Sequence, residues 1–124
     1  MAKVNLIIEK GSDGKLWGRV SFKDNLITDF ANSVEILEKK IKKVIKDFHE
    51  AEVEFESSYD VSAFFENFDF LNQSKIAELS GINPGLLRQY ASGIKHPSSA
   101  QAKKIESAIH RLAKELKSVT LHAA

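Results

Sequence analysis

Between Asn72 and Pro97 the chain spells short helical runs separated by residues that cannot continue a helix, and this punctuation narrows the possible fold more than any other feature. Asn72 is placed to cap a first helix in which Ile76, Ala77 and Leu79 pack inward. Gly81 ends that helix, because a left-handed residue is needed there. After a tight turn, Asn83 caps a second helix with Pro84 at its first position, where a missing N–H costs nothing. Leu87 and Tyr90, three apart, face the first helix, whereas Arg88 and Gln89 project outward. The small Ala77 lets the two helices approach closely at a steep angle. Ser98 and Gln101 form a Ser-x-x-Gln capping box that opens a long helix, with Ala102, Ile105, Ile109, Leu112 and Leu116 at steps of three and four. Two short helices, a glycine turn and polar groups on the outer face of the second predict a helix-turn-helix. An αα-hairpin without any role on DNA is the plainer alternative. The long apolar stripe either completes this helical core or joins two subunits.

The first half follows a different period. Val4, Leu6 and Ile8 alternate with Asn5, Ile7 and Glu9, Gly11-Ser12-Asp13-Gly14 supplies a turn, and Leu16, Gly18, Val20 and Phe22 form a second alternating run. Lys23-Asp24-Asn25 reads as another turn, and Leu26-Ile27-Thr28 as a short third strand or a loop. Asn32 is the expected N-cap of a helix, with Glu35 reaching back to the cap amide and Val34, Leu37, Ile41, Val44 and Phe48 on one stripe. Lysines 39, 40, 42, 43 and 46 fill the rest of that helix, mostly toward its C-terminus, where cations suit the helix dipole. Ala51, Val53 and Phe55 then alternate strictly with Glu52, Glu54 and Glu56, the pattern of a strand with one buried face. The three glutamates read either as a charged edge that discourages aggregation or as an acidic surface for a basic protein partner. Phe64, Phe65, Phe68 and Phe70 read as apolar filling for the junction that follows.

The expected architecture is therefore α+β: a small βββαβ unit over residues 1–58, and an all-α helix-turn-helix domain over residues 59–124. A unit as small as the first buries little apolar area, so oligomerisation or packing on the second half is expected. A composition of 43% hydrophobic and 28% charged residues is that of a globular chain rather than a disordered tail. No apolar run approaches the roughly 20 residues of a membrane span, and no signal peptide is apparent, so a cytoplasmic protein without a membrane partner is expected. The absence of cysteine excludes disulfides and thiol chemistry and leaves His49, His96, His110 and His122 as the only nitrogen ligands. These are scattered, so neither a metal nor a cofactor is expected. No catalytic constellation is present either: Glu9, Asp13, Asp24 and Asp29 lie mostly at strand ends and turns, where they do not converge on a metal pair. Charge splits unevenly, with a net of −2 over residues 1–60 and +3 over residues 61–124. Between residues 73 and 104, Lys75, Arg88, Lys95, Lys103 and Lys104 face Glu78 alone, a local basic surface suited to nucleic acid.

The stretch from Gln73 to Pro97, with Ala77, Gly81, Leu87, Tyr90, Gly93 and Lys95, resembles the helix-turn-helix of Cro/repressor-type regulators. With the strand and helix order of the first half, and with Phe55-Glu56 and Tyr59-Asp60-Val61 before the Phe-rich segment, the whole chain resembles HicB-family antitoxins that carry a C-terminal DNA-binding domain. The resemblance implies a partial ribonuclease-H-like first domain, neutralisation of a small HicA-type mRNA-cleaving toxin, and repression of the chain's own operon. The chain departs from the family at Asp29-Phe30-Ala31-Asn32-Ser33, where members carry a glycine-rich turn. Pro84 and Gly85 offer nothing to a groove, so base reading falls to Asn83, Arg88 and Gln89, since Arg can bridge guanine O6 and N7 and Gln adenine N6 and N7. Gln73, Ser74, Lys75, Ser92, Lys95 and His96 suit phosphate contacts. Glu52, Glu54 and Glu56 are the expected contact for the basic toxin. A homodimer or higher oligomer on a palindromic operator is expected, because a lone helix-turn-helix makes few contacts. A regulator whose first half only oligomerises or senses a ligand is the alternative, and a protein-interaction module without DNA binding is the third.

Overall fold

The computed structural model describes residues 1–123. It is α+β, with a four-stranded mixed sheet and five helices among the described residues. The chain forms two compact units, residues 1–69 and residues 70 onward.

In the first unit, β1 (Ala2–Lys10), β2 (Leu16–Phe22), β3 (Asn25–Ala31) and β4 (Val53–Tyr59) lie in the order β3-β2-β1-β4. β2 pairs antiparallel with β1 on one side and β3 on the other, and β4 runs parallel to β1 from Ala2↔Val53 to Ile8↔Tyr59. The β1–β2 turn closes as its residues dictate: Asp13 Oδ1 accepts the Lys15 N–H at 2.9 Å and Gly14 adopts φ +80°. At the second hairpin Lys23 and Asp24 both take positive φ (49° and 63°), the two-residue mirror-image turn whose twist matches a strand pair. That tight turn pairs Phe22 with Asn25 and lets β3 run seven residues, well beyond Leu26-Ile27-Thr28.

The helix α1 (Val34–His49) packs on one sheet face, burying Val34, Leu37, Ile41 and Ile45 against Leu6, Ile8, Leu16 and Val20. Gly18 permits this closeness, since a Cβ there would stand 2.9 Å from Leu37 Cδ2 and 3.1 Å from Leu6 Cδ1. Three expectations for α1 need correction. Its N-cap is Ser33, whose hydroxyl accepts the Ile36 N–H at 3.2 Å, because β3 carries the chain extended through Ala31. Glu35 pairs with Lys39 at 3.3 Å instead of returning to the cap. The buried stripe closes on Ile45, with Val44 half-buried and Phe48 79% exposed.

β4 begins at Val53 rather than at residue 51, and extends to Tyr59 because β1 offers it a partner along that whole length. A short helix, α2 (Val61–Asn67), follows, capped by the Asp60 carboxylate, which accepts the Ala63 N–H at 2.7 Å. α2 belongs with the sheet: Ala63 joins its core, the Asp60 N–H reaches the Ile8 carbonyl at 3.0 Å, and Lys10 pairs with Glu66 at 3.2 Å. The division of the chain accordingly falls after Asp69, not after residue 58. Of the four phenylalanines, Phe65 is buried, Phe64 and Phe68 stack half-buried beside Tyr59, and Phe70 is exposed.

The second unit contains α3 (Gln73–Ser80), α4 (Pro84–Ser92) and α5 (Ser99–Lys117). Its buried apolar residues are Ile76, Ala77, Ile82, Leu87, Tyr90, Ile105 and Ala108. Ile82, in the turn, and Ala108 complete a core of which the sequence pattern indicated the rest, whereas Leu79, Ala102, Ile109 and Leu112 are half-buried and Leu116 is exposed. No helix among the described residues is long and apolar enough to cross a membrane.

Candidate nucleic-acid interface

The hairpin of α3 and α4 is fixed at each end by its own short-range chemistry. Asn72 Oδ1 accepts the Lys75 N–H at 3.0 Å and starts α3. Gly81, at φ +72°, ends it and returns its N–H to the α3 carbonyls, and the Ile82 N–H reaches the Ala77 carbonyl at 3.1 Å. Two residues later Asn83 Oδ1 accepts the N–H groups of Gly85 (2.8 Å) and Leu86 (3.3 Å), while its backbone carbonyl takes the Leu87 N–H at 2.9 Å. Gly93, at φ +84°, ends α4, and Ser98 starts α5 by accepting the Gln101 N–H at 3.2 Å.

Capping decides what α4 can offer a ligand. Pro84 has no N–H and the next three amides are bonded to Asn83, so the α4 N-terminus holds no spare donors for a phosphate. Asn83 itself is half-committed: with Oδ1 taken by the cap, only its Nδ2 donors remain, and the two-point grip on adenine that requires both amide atoms is closed to it. Arg88 is exposed and, among the described residues, carries no hydrogen bond or ion pair. It is thus the side chain of α4 most available for a two-point contact. Gln89 is half-buried beside it, and Ser92 is exposed with its hydroxyl donating to the Gln89 carbonyl at 3.2 Å. Gly85 keeps this corner low, since a Cβ there would lie 3.1 Å from Asn83 Oδ1 and 3.9 Å from Arg88 Nη2.

The phosphate-positioning candidates divide between two places. Gln73, Ser74 and Lys75 form the first turn of α3, where Lys75 makes an exposed ion pair with Glu78 at 3.7 Å. Lys95 and His96 lie exposed in the link after α4. Lys103 and Lys104 sit on α5, where they line a shallow groove with Leu79 and Ser80 of α3, so they flank the first helix of the hairpin. Arg111 lines the same groove and was not singled out from the sequence, although the i, i+4 steps from Lys103 through Ser107 place it on that face. The second unit carries eight Lys/Arg and three Asp/Glu, a net of +5, whereas residues 1–69 carry ten and fourteen, a net of −4.

The acidic candidates of the first unit are not one row. Glu54 and Glu56 share a sheet face in β4, but Glu52 precedes the strand and pairs with Lys46 of α1 at 3.8 Å. Glu56 pairs with Lys3 at 3.7 Å; both pairs are exposed and therefore weak. Three of the four carboxylates considered for a metal are engaged elsewhere, Glu9 with Arg19 (3.0 Å), Asp13 with Lys15 and Trp17, and Asp29 with Lys40 (3.1 Å), and the fourth, Asp24, sits in the β2–β3 turn. No cluster of three or more His, Asp or Glu able to hold a metal occurs among the described residues. At the end of β4, burial raises the Tyr59 phenol above its ordinary value, the Glu38 charge adds to this, and a hydrogen bond from Asn67 partly offsets it.

Compared with known proteins, the chain matches no family model, no curated protein and no solved structure.

Proposed function

We propose that the second unit is a helix-turn-helix module that docks α4 on duplex DNA, and that the whole chain is a cytoplasmic HicB-type antitoxin. In this reading it represses its own operon, while its first unit occludes a small basic mRNA-cleaving toxin. The observation that carries the DNA-binding part is the α3–Gly81–α4 hairpin, capped at both helix starts, which leaves Arg88 free on the surface of a unit of net charge +5. With the amides of the α4 N-terminus taken up internally, affinity rests on side-chain donors at phosphates, from Gln73, Ser74, Lys75, Lys95 and His96, and from Ser92 once its hydroxyl turns away from the Gln89 carbonyl. Arg88 and Gln89 carry sequence preference, and Asn83 contributes at most a donor.

The antitoxin part rests on the resemblance to HicB-type chains, on the β-β-β-α-β order of the first unit and on its net charge of −4. Occluding an RNA-binding surface needs no catalysis, only a complementary face. The ion pairs of Glu52 and Glu56 with lysines of the same unit favour a second reading, in which the first unit only oligomerises or senses a ligand and the protein is a plain regulator. A gel-shift against the promoter of its own gene tests the first part, and absence of binding at low salt rejects it. Co-expression with the neighbouring small basic gene tests the second: persistent toxicity with no co-purified complex leaves the plain regulator.

A further inference from the structure

The sheet of the first unit has two edges, and they are not alike. On β3 the Phe30 N–H is bonded to Asp29 Oδ1 at 2.8 Å, and the Phe30 carbonyl accepts from Lys40 Nζ. Lys40 and Asp29 are themselves paired at 3.1 Å, so two side chains plug this edge at Phe30. Backbone groups alternate sides along a strand, which leaves only Leu26 and Thr28 of β3 facing outward unplugged, too few for a further ladder. Such a plug is one of the ways a sheet edge is protected from pairing.

On β4 the alternation runs the other way. The Asp60 N–H reaches Ile8 of β1, so the amides of Ser58 and Glu56 also face β1, and those of Phe55, Ser57 and Tyr59 face outward. Among the described residues no side chain caps these outward groups. The two sides of the edge differ chemically. Glu54 and Glu56 stand exposed on one face, and half-buried Phe55 and Tyr59 on the other, Tyr59 against Phe64 and Phe68 and Phe55 with the Lys42 ammonium 5.6 Å from its ring centre. A second copy pairing here brings Glu54 and Glu56 against the same carboxylates of its own, which like charge opposes.

We propose that the β4 edge is a strand-addition site for a basic extended segment of a partner protein, one that alternates Lys or Arg, set against Glu54 and Glu56, with apolar residues set against Phe55 and Tyr59. This deepens the antitoxin reading by naming how its partner is held, and it rests on the first unit being the partner-binding one.

The test uses the full chain and a capped seven-residue peptide of alternating lysine and valine, followed by fluorescence anisotropy. The expected result is saturable binding, at least ten-fold weaker for the same peptide N-methylated on alternate amides, which keeps charge and side chains but loses the ladder donors. Ser57→Pro removes one outward N–H from an exposed edge position without touching the β1 ladder, and is expected to weaken binding as much. Thr28→Pro on the plugged edge is expected to leave it unchanged. Equal binding of the methylated peptide shows charge attraction alone and overturns the proposal, and needs no variant to fold. Failure of the peptide to bind overturns it too, as does a dimer in light scattering that Ser57→Pro abolishes, because the occupant is then a second copy. A neighbour-encoded toxin that still co-purifies with Ser57→Pro removes the edge and leaves the antitoxin reading standing. Strand addition of the peptide with no toxin bound does the reverse.

Discussion

Arg88→Ala gives the sharpest view of whether α4 reads DNA. Arg88 is exposed, has no hydrogen bond or ion pair among the described residues, and lies opposite the buried Leu87 and Tyr90 side of its helix. Truncating it removes no contact of the fold, and a surface change of this kind stays within about 0.5 kcal/mol of wild-type stability. Loss of a two-point contact to guanine costs about 1–3 kcal/mol of discrimination. At about 1.4 kcal/mol per decade, that is roughly 5- to 140-fold in affinity for the chain's own operator. The variant is expected to melt as wild type does, to lose this factor on its own promoter fragment, and to bind a scrambled fragment almost as before. Lys95→Ala provides the contrast: it is expected to weaken all sequences alike and to lower the slope of log K against log salt by about one. Anisotropy titrations of both fragments at two salt concentrations separate the cases. An Arg88→Ala protein that loses the same factor on both fragments, or on neither, would falsify base reading by Arg88.

Three further outcomes are expected. Asn83→Ala leaves the Gly85 and Leu86 amides without their acceptor and lowers stability by about 1 kcal/mol, measured by urea unfolding, whereas Asn83→Asp keeps the cap and stays near wild type. Leu116→Asp, on the exposed end of the α5 stripe, is expected to leave melting unchanged and to turn a dimer into a monomer in light scattering; an unchanged mass excludes α5 as the seam. Because burial first and the Glu38 charge second raise the Tyr59 phenol in the folded chain, its contribution is fully present below pH 10 and is lost as pH rises through the folded value, so stability falls in that window. Urea midpoints between pH 9 and 11.5 are expected to fall less for Tyr59→Phe than for wild type, and identical slopes remove the assignment.

What the sequence made legible follows the reach of each interaction. The caps at Asn72, Asn83 and Ser98 and the left-handed Gly81 act on atoms within a few residues, so residue type and spacing were enough to place α3 and the starts of α4 and α5. Arg88 was placed outward by the 3.6-residue period alone. The Asn83 assignment shows where such reasoning stops: cap and base reader were both assigned to one amide oxygen, and only the bonds to Gly85 and Leu86 show which use it has. In the first unit the decisive partners lie far along the chain. Asn32 and Ser33 are both good caps, and the choice between them is made by how far β3 stays paired to β2, at Leu16↔Ala31.

The same distance explains β4 and the boundary between the units. Alternation over residues 51–56 gave the correct inward side, Val53 and Phe55, but the span of the strand is set by β1, about fifty residues earlier in the chain, and no local signal carries that register. α2 joins the sheet because Ala63 fills its core and Asp60 completes the β1 ladder, neither of which is visible in a helix of seven residues. The difference between the two edges is the least legible feature of all. It depends on Lys40 reaching the backbone of Phe30, a contact in which one of the two groups has no sequence identity, since any residue supplies a carbonyl. A lysine that reads as one of five solvated cations on α1 therefore closes one side of the sheet, and its placement leaves β4 as the edge still able to pair.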